Sequence, residues 1–156
     1  MAKINIEQIA QALESTLVSE RSQKAKEFDW RRESILTEFR TIGFHLTRQT
    51  GKTTWIIDRV VKEPKTSLVL LSSPALEYDF KRKLEVRHGE VPEELRIIAG
   101  KAYERGFKDW MRVRPIDRIY IDDSLFYFSK WRRQKTMAAL FANFILSNDP
   151  IIYLVN

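Results

Sequence analysis

The sequence predicts an α/β domain: a mainly parallel five-stranded sheet between helices, in three layers, preceded by N-terminal helices. Three observations carry this. Short apolar runs of strand length recur along the chain and alternate with helical segments. Those runs are apolar throughout, not at every second residue, as in strands covered on both faces. The 156 residues, 44% hydrophobic and 12% aromatic, are enough for one sizeable core.

The elements follow in order. Ile6, Ile9, Leu13 and Leu17 recur at three- and four-residue spacing, which predicts an amphipathic helix with Asn5 as its cap. A second helical segment, about 28–39, carries Phe28, Ile35, Leu36 and Phe39 among charges. Residues 1–40 are thus expected to pack as a helical segment on a core spanning 41–156, one structural domain overall. Residues 41–46 read as a strand, and 55–61 continue a helix that begins at Lys52. The run 67–71, between Pro64 and the Ser72, Ser73, Pro74 turn, is the second strand, and 75–87 a charged helix. Three further strands are expected at 95–99, 118–121 and 151–155. A helix over about 130–146, with Met137, Leu140, Phe141, Phe144 and Ile145 on one stripe, precedes the last of them. Residues 100–115 read as mixed loop and helix. Parallel sheets bind ligands at the carboxyl ends of their strands, so 46–53, Asp122, Asp123 and Asn156 are expected to converge.

Composition narrows the function. With no cysteine, disulfides and thiolate metal sites are excluded. No run approaches the roughly 18 apolar residues of a membrane span, and residues 1–5 lack an apolar signal core. The expectation is a soluble protein of the cytoplasm, with no membrane partner. Net charge is +6, from 27 Lys and Arg against 21 Asp and Glu. No acid occurs from 124 to 148, where Lys130, Arg132, Arg133 and Lys135 cluster beside Trp131. Such a cluster suits nucleic-acid phosphates and base stacking; a solvated helix start with Trp131 packed beneath is the alternative. Residues 101–114 mix cations with Tyr103, Phe107 and Trp110, either as a nucleic-acid or partner loop or as buried aromatics. His45 reads as a core histidine on its strand and His88 as a helix-end residue. Neither gives a metal-site spacing, and no Ser/His/Asp or paired-glutamate hydrolase set stands out.

The chemistry begins at LTRQTGKTT, from Leu46 to Thr54. Gly51, Lys52 and Thr53 fall between a strand and an apolar helix. There, backbone N–H groups and the helix dipole face phosphates, a lysine reaches the β/γ oxygens, and a hydroxyl meets Mg²⁺. The opening glycine of the usual Gly-x4-Gly-Lys-Thr loop is missing, with Leu46 in its place. The second half is Ile119, Tyr120 and Ile121 followed by Asp122 and Asp123. An apolar strand ending in two acids supplies one carboxylate for the magnesium shell and a neighbour to polarise water. Alone, that pair reads equally as a helix cap or a solvated turn.

Taken together, Leu46, Thr47, Arg48, Gln49, Thr50, Gly51, Lys52 and Thr53 resemble the deviant Walker A loop of tailed-phage large terminases, packaging motor ATPases of the additional-strand P-loop class. That family often writes the loop Ser-Arg-Gln-x-Gly-Lys-Thr; Thr47 stands for the serine, and Arg48, Gln49, Gly51, Lys52 and Thr53 match. Residues 118–124 resemble its Walker B strand. The resemblance implies a three-layer P-loop NTPase core with ATP and Mg²⁺ as cofactors, acting in DNA packaging or DNA processing, and viral, hence in the host cytoplasm. Nucleotide contacts then fall to Thr47, Arg48, Gln49, Thr50, Gly51, Lys52, Thr53 and Thr54. Lys52 neutralises the β/γ-phosphates, Thr53 and Asp122 hold the metal, and Asp123 orients the attacking water. Arg48 adds charge at the γ-phosphate or, alternatively, forms a surface salt bridge.

Two departures stand out. The family's catalytic glutamate is here Asp123, one methylene shorter, and its Thr-rich coupling motif is replaced by Asn156, a polar residue able only to mimic a phosphate sensor. No nuclease domain follows within these residues. DNA or DNA-processing proteins are the implied partners, and an arginine finger in trans would require a homo-oligomer or a second protein. Two alternatives are a nucleotide-binding regulatory module with little turnover and a helicase-like ATPase fragment. A kinase is disfavoured by the acid pair directly after the strand, which suits water activation.

Overall fold

A computed structural model describes residues 4–17, 27, 30–47, 49–101 and 114–156, without the side chains of Arg32 and Asn148. Among these, α1 (Ile6–Glu14) and α2 (Arg32–Phe39) precede β1 (Thr41–Phe44). Then follow α3 (Lys52–Lys62), a 3-10 turn (Pro64–Thr66), β2 (Ser67–Leu71), α4 (Pro74–His88) and β3 (Arg96–Ala99). The described chain ends with β4 (Ile116–Asp122), α5 (Ser124–Lys130), α6 (Arg133–Asn143) and β5 (Leu146–Val155).

The five strands pair in parallel, in the order β1-β5-β4-β2-β3. Alternation along each strand sends side chains to two separate cores. Val69, Leu71, Tyr120, Tyr153 and Val155 join α1, α3 and α4 on one face. Leu68, Leu70, Ile119, Ile121 and Ile152 meet Leu36, Tyr127, Met137 and Leu140 of α2, α5 and α6 on the other. The result is an α/β fold with its sheet between helical layers, and all five residues of β2 are buried. No helix among the described residues is long and apolar enough to cross a membrane.

The registers place the carboxyl ends of the strands side by side. Phe44 is level with Val155, and Val155 with Asp122. Leu70 is level with Ile121, and Leu71 with Ala99. The segments that follow β1, β4 and β5 therefore leave from one rim of the sheet.

Two helical expectations are corrected. The stripe Ile6, Ile9, Leu13 and Leu17 meets the core only in part: Ile6 is buried and Leu17 packs partly buried, with Ala10 buried between them, while Ile9 and Leu13 are 38% and 36% exposed. Charge sets the rotation. Glu7 and Glu14 turn toward α3, where Arg59 donates to Glu7 at 2.8 Å and lies 2.9 Å from Glu14. Trp55 Nε1 donates to Glu7 at 2.8 Å, and the Tyr153 hydroxyl to Glu14 at 2.7 Å. The Arg59 guanidinium also lies over the Trp55 ring, 5.2 Å from its centroid. Asn5 does cap α1, accepting from the Gln8 N–H at 3.2 Å. The second correction concerns 130–146. The helix breaks at Trp131, which is extended, and ends at Asn143, so Leu146 opens β5 and Ile145 is exposed.

The Arg59 cluster predicts a stability effect. Burial raises the Glu7 carboxyl, but hydrogen bonds from Arg59 and Trp55 outweigh this and hold it below the usual value. A depressed carboxyl contributes stability above its unfolded pKa and loses it as pH falls through the folded value. Arg59→Leu is expected to destabilise the protein by about 1 kcal/mol at neutral pH, because two partly exposed carboxylates lose their shared cation while Trp55 and Tyr153 still donate to them. Urea unfolding checks this, and the difference between the two proteins should shrink as pH drops below the ordinary glutamate range.

Candidate functional site

β1 runs directly into the candidate loop. The ladder continues past the strands, with Asn156 N–H donating to Phe44 O and Leu46 N–H to Asn156 O, each at 2.9 Å. Thr50 Oγ1 donates to Thr47 O at 3.0 Å and closes the loop on itself. Gln49 and Gly51 take left-handed backbone conformations, φ 64° and 85°. At Gly51, the N-cap of α3, nothing lies within 4 Å of the place a Cβ would occupy, so glycine serves the backbone turn here, not space. No acid sits in the first turn of α3 and no side chain caps it, so its leading N–H groups face the loop uncompensated.

Two side chains then close the site. Lys52 Nζ donates across the loop to Leu46 O at 3.0 Å. Thr53 Oγ1 donates to Asp122 Oδ2 at 2.9 Å, joining residues 69 positions apart. Asp122 ends β4 and also accepts the Asp123 N–H at 3.1 Å. Burial pushes the Asp122 carboxyl up, and the bonds from Thr53 and Asp123 oppose that. Asp123 is exposed, with φ 49°, and occupies the N-cap position of α5 without a side-chain capping bond. Asn156 supplies the contact instead: its Oδ1 accepts from Ser124 Oγ at 2.8 Å and from Leu125 N–H at 2.6 Å. The Asp123 carboxylate is left to face the cleft.

That cleft measures about 620 Å³. Thr47, Gln49, Lys52, Thr53, Asp122, Asp123 and Asn156 all line it. Thr54 does not: it is exposed and lines a separate hollow beside α4, with Ile57 and Lys83, so only its backbone is on the loop side. Arg48 lies outside the described residues. His45 is a correction, since it is exposed on the cleft and not in the core; β1 ends at Phe44, and the next side chain turns outward. Sequence reasoning missed the far wall, formed by Leu76, Asp79, Phe80 and Lys83 of α4. No sequence motif marks it: the pairing of β2 with β4, visible only in the fold, brings the helix after β2 beside the loop. His88 does end its helix, where it and Arg87 hold Asp58 of α3 at 3.0 and 2.5 Å.

The basic strip does not line this cleft. Lys130, Arg132, Arg133 and Lys135 are exposed. Of the two readings of Trp131, the packed one holds: it lies partly buried against the second core with its indole N–H buried, and Lys101 lies over its ring at 5.3 Å. The strip therefore offers cations rather than a stacking platform. Lys130 and Arg133 rest over Phe126 and Phe128 at 4.2 and 6.0 Å. Tyr103, Phe107 and Trp110 lie outside the described residues.

No protein-family model, curated protein or solved structure matches this chain.

Proposed function

We propose that the protein binds Mg-ATP and hydrolyses it, as a P-loop ATPase of the additional-strand class similar to the terminase motor core, and that it acts on DNA or a DNA-processing assembly. The observation that carries this reading is the 2.9 Å Thr53–Asp122 hydrogen bond, which brings a loop hydroxyl and a strand-end carboxylate together beside Lys52. The position of β5 between β1 and β4 is further support, since a strand inserted there is what the class name describes.

The donors fit a hard cation: a hydroxyl and a carboxylate oxygen, with phosphates to complete the shell. Magnesium bound there supplies charge neutralisation at the phosphoryl oxygens. Lys52 exchanges Leu46 O for phosphate oxygens, and the leading N–H groups of α3 cradle the chain of phosphates. Asp123 orients the attacking water and takes its proton. Arg48 is proposed to add positive charge from the loop. The exposed cations from Lys130 to Lys135 are proposed to contact DNA phosphates.

A second reading, a nucleotide-regulated binding module with little turnover, is favoured by the short and exposed Asp123 carboxylate. One assay separates the two. Asp123→Asn is expected to lower ATP hydrolysis by about a hundredfold or more while Mg-ATP binding is retained. Steady-state rates are measured with Mg²⁺, with and without duplex or single-stranded DNA. Equal turnover in both proteins would remove Asp123 from its role. A wild-type protein that binds but does not turn over, with or without DNA, would leave the regulatory module.

A further inference from the structure

The cleft continues past the loop and the acid pair to α4, where Asp79 and Lys83 stand one helical turn apart. Lys83 Nζ lies 2.6 Å from Asp79 Oδ2, and Arg82 holds the other oxygen of the same carboxylate at 3.1 Å. The fold does not depend on Lys83, whose side chain is 50% exposed. α4 is anchored instead by buried Phe80 and Leu84, and by Arg87 and His88 on Asp58. Lys83 also borders the hollow lined by Thr54 and Ile57, so it is on the side of α4 that faces the loop helix.

Among the described residues, Lys52 and Lys83 are the two lysines of the cleft, and the chain's own oxygens hold both: Leu46 O for Lys52, Asp79 for Lys83. We propose that Lys83 is a second phosphate-recognition cation, which leaves Asp79 for the terminal phosphate of a bound nucleoside triphosphate and so makes the site prefer triphosphate to diphosphate. This rests on the nucleotide reading above. Three carboxylates already line the cleft, so a bound triphosphate needs more cation than Mg²⁺ and Lys52 provide. The exchange replaces one charge-assisted contact by another, on a flexible four-carbon stem. Asp79 is not stranded by it, because Arg82 remains. A diphosphate ends one group short and does not draw the lysine away.

The test is equilibrium titration, with Mg²⁺, of the intact chain with ADP and with the β,γ-imido analogue of ATP. Lys83→Ala is expected to weaken the analogue about tenfold while leaving ADP unchanged, the usual effect of losing one charge-assisted contact. Lys83→Arg should keep most of the preference. Unchanged ADP affinity also reports that the variant has folded. Equal effects on both ligands, or none on either, overturn the proposal and leave the nucleotide reading intact. A wild-type protein that binds neither ligand overturns both.

Discussion

Lys52→Ala is expected to abolish ATP turnover, by about a hundredfold to a thousandfold, with Mg-ATP affinity reduced as well. Lys52 is the loop's own cation, positioned at the start of α3 and already spanning the loop to Leu46 O. In the proposed reaction it meets charge that grows on the β/γ oxygens during transfer, so its loss would fall on the transition state more heavily than on binding. The fold should not suffer. The bond given up is to one partly buried backbone carbonyl beside the open cleft, where water replaces it. Hydrolysis rates and thermal unfolding of the same preparation check both halves.

Asp122→Asn is expected to remove the Mg²⁺ dependence of ATP binding and to lower turnover by about a hundredfold, yet leave the nucleotide-free protein as stable as wild type or more so. Burial raises the Asp122 carboxyl above its ordinary value. A raised carboxyl means that the folded state holds the proton more tightly than the unfolded chain, so this group's contribution falls as pH rises from the ordinary aspartate range. At neutral pH the charged carboxylate therefore costs stability, and an amide of the same shape keeps both contacts, its oxygen accepting the Asp123 N–H and its NH2 donating to the Thr53 hydroxyl. Stability gained where function is lost marks a group kept for its chemistry rather than for the fold. Unfolding midpoints for the two proteins at pH 5 and pH 8, together with ATP titrations with and without Mg²⁺, measure the pair of effects. A large destabilisation at both pH values would mean that Asp122 is structural.

The sheet was legible because its strands are buried on both faces and so read as unbroken apolar runs, β2 most plainly. The candidate loop and the acid pair were legible because the chemistry fixes residue type at fixed positions on either side of a strand end. The rotation of α1 was not, since apolar spacing said nothing of Glu7 and Glu14 seeking Arg59 on a distant helix. The break at Trp131 was hidden by a sequence with helix-compatible spacing on both sides; tertiary packing of the indole decides it. His45 was misplaced because the strand, expected to reach 46, ends at Phe44, which leaves the next side chain exposed on the cleft. Lys83 carried no local mark at all. Its place on the cleft follows from strand order, which determines what lies beside what and is not written in any short motif.

The central claim is that residues 46–54 and Asp122 with Asp123 form one Mg-ATP site. Equilibrium titration of wild-type protein and Lys52→Ala with ATP, each with and without Mg²⁺, tests it most directly. The expected result is saturable one-to-one binding by wild type that Mg²⁺ strengthens and that Lys52→Ala weakens. Binding that is absent in wild type, or identical in the two proteins and indifferent to Mg²⁺, would contradict it.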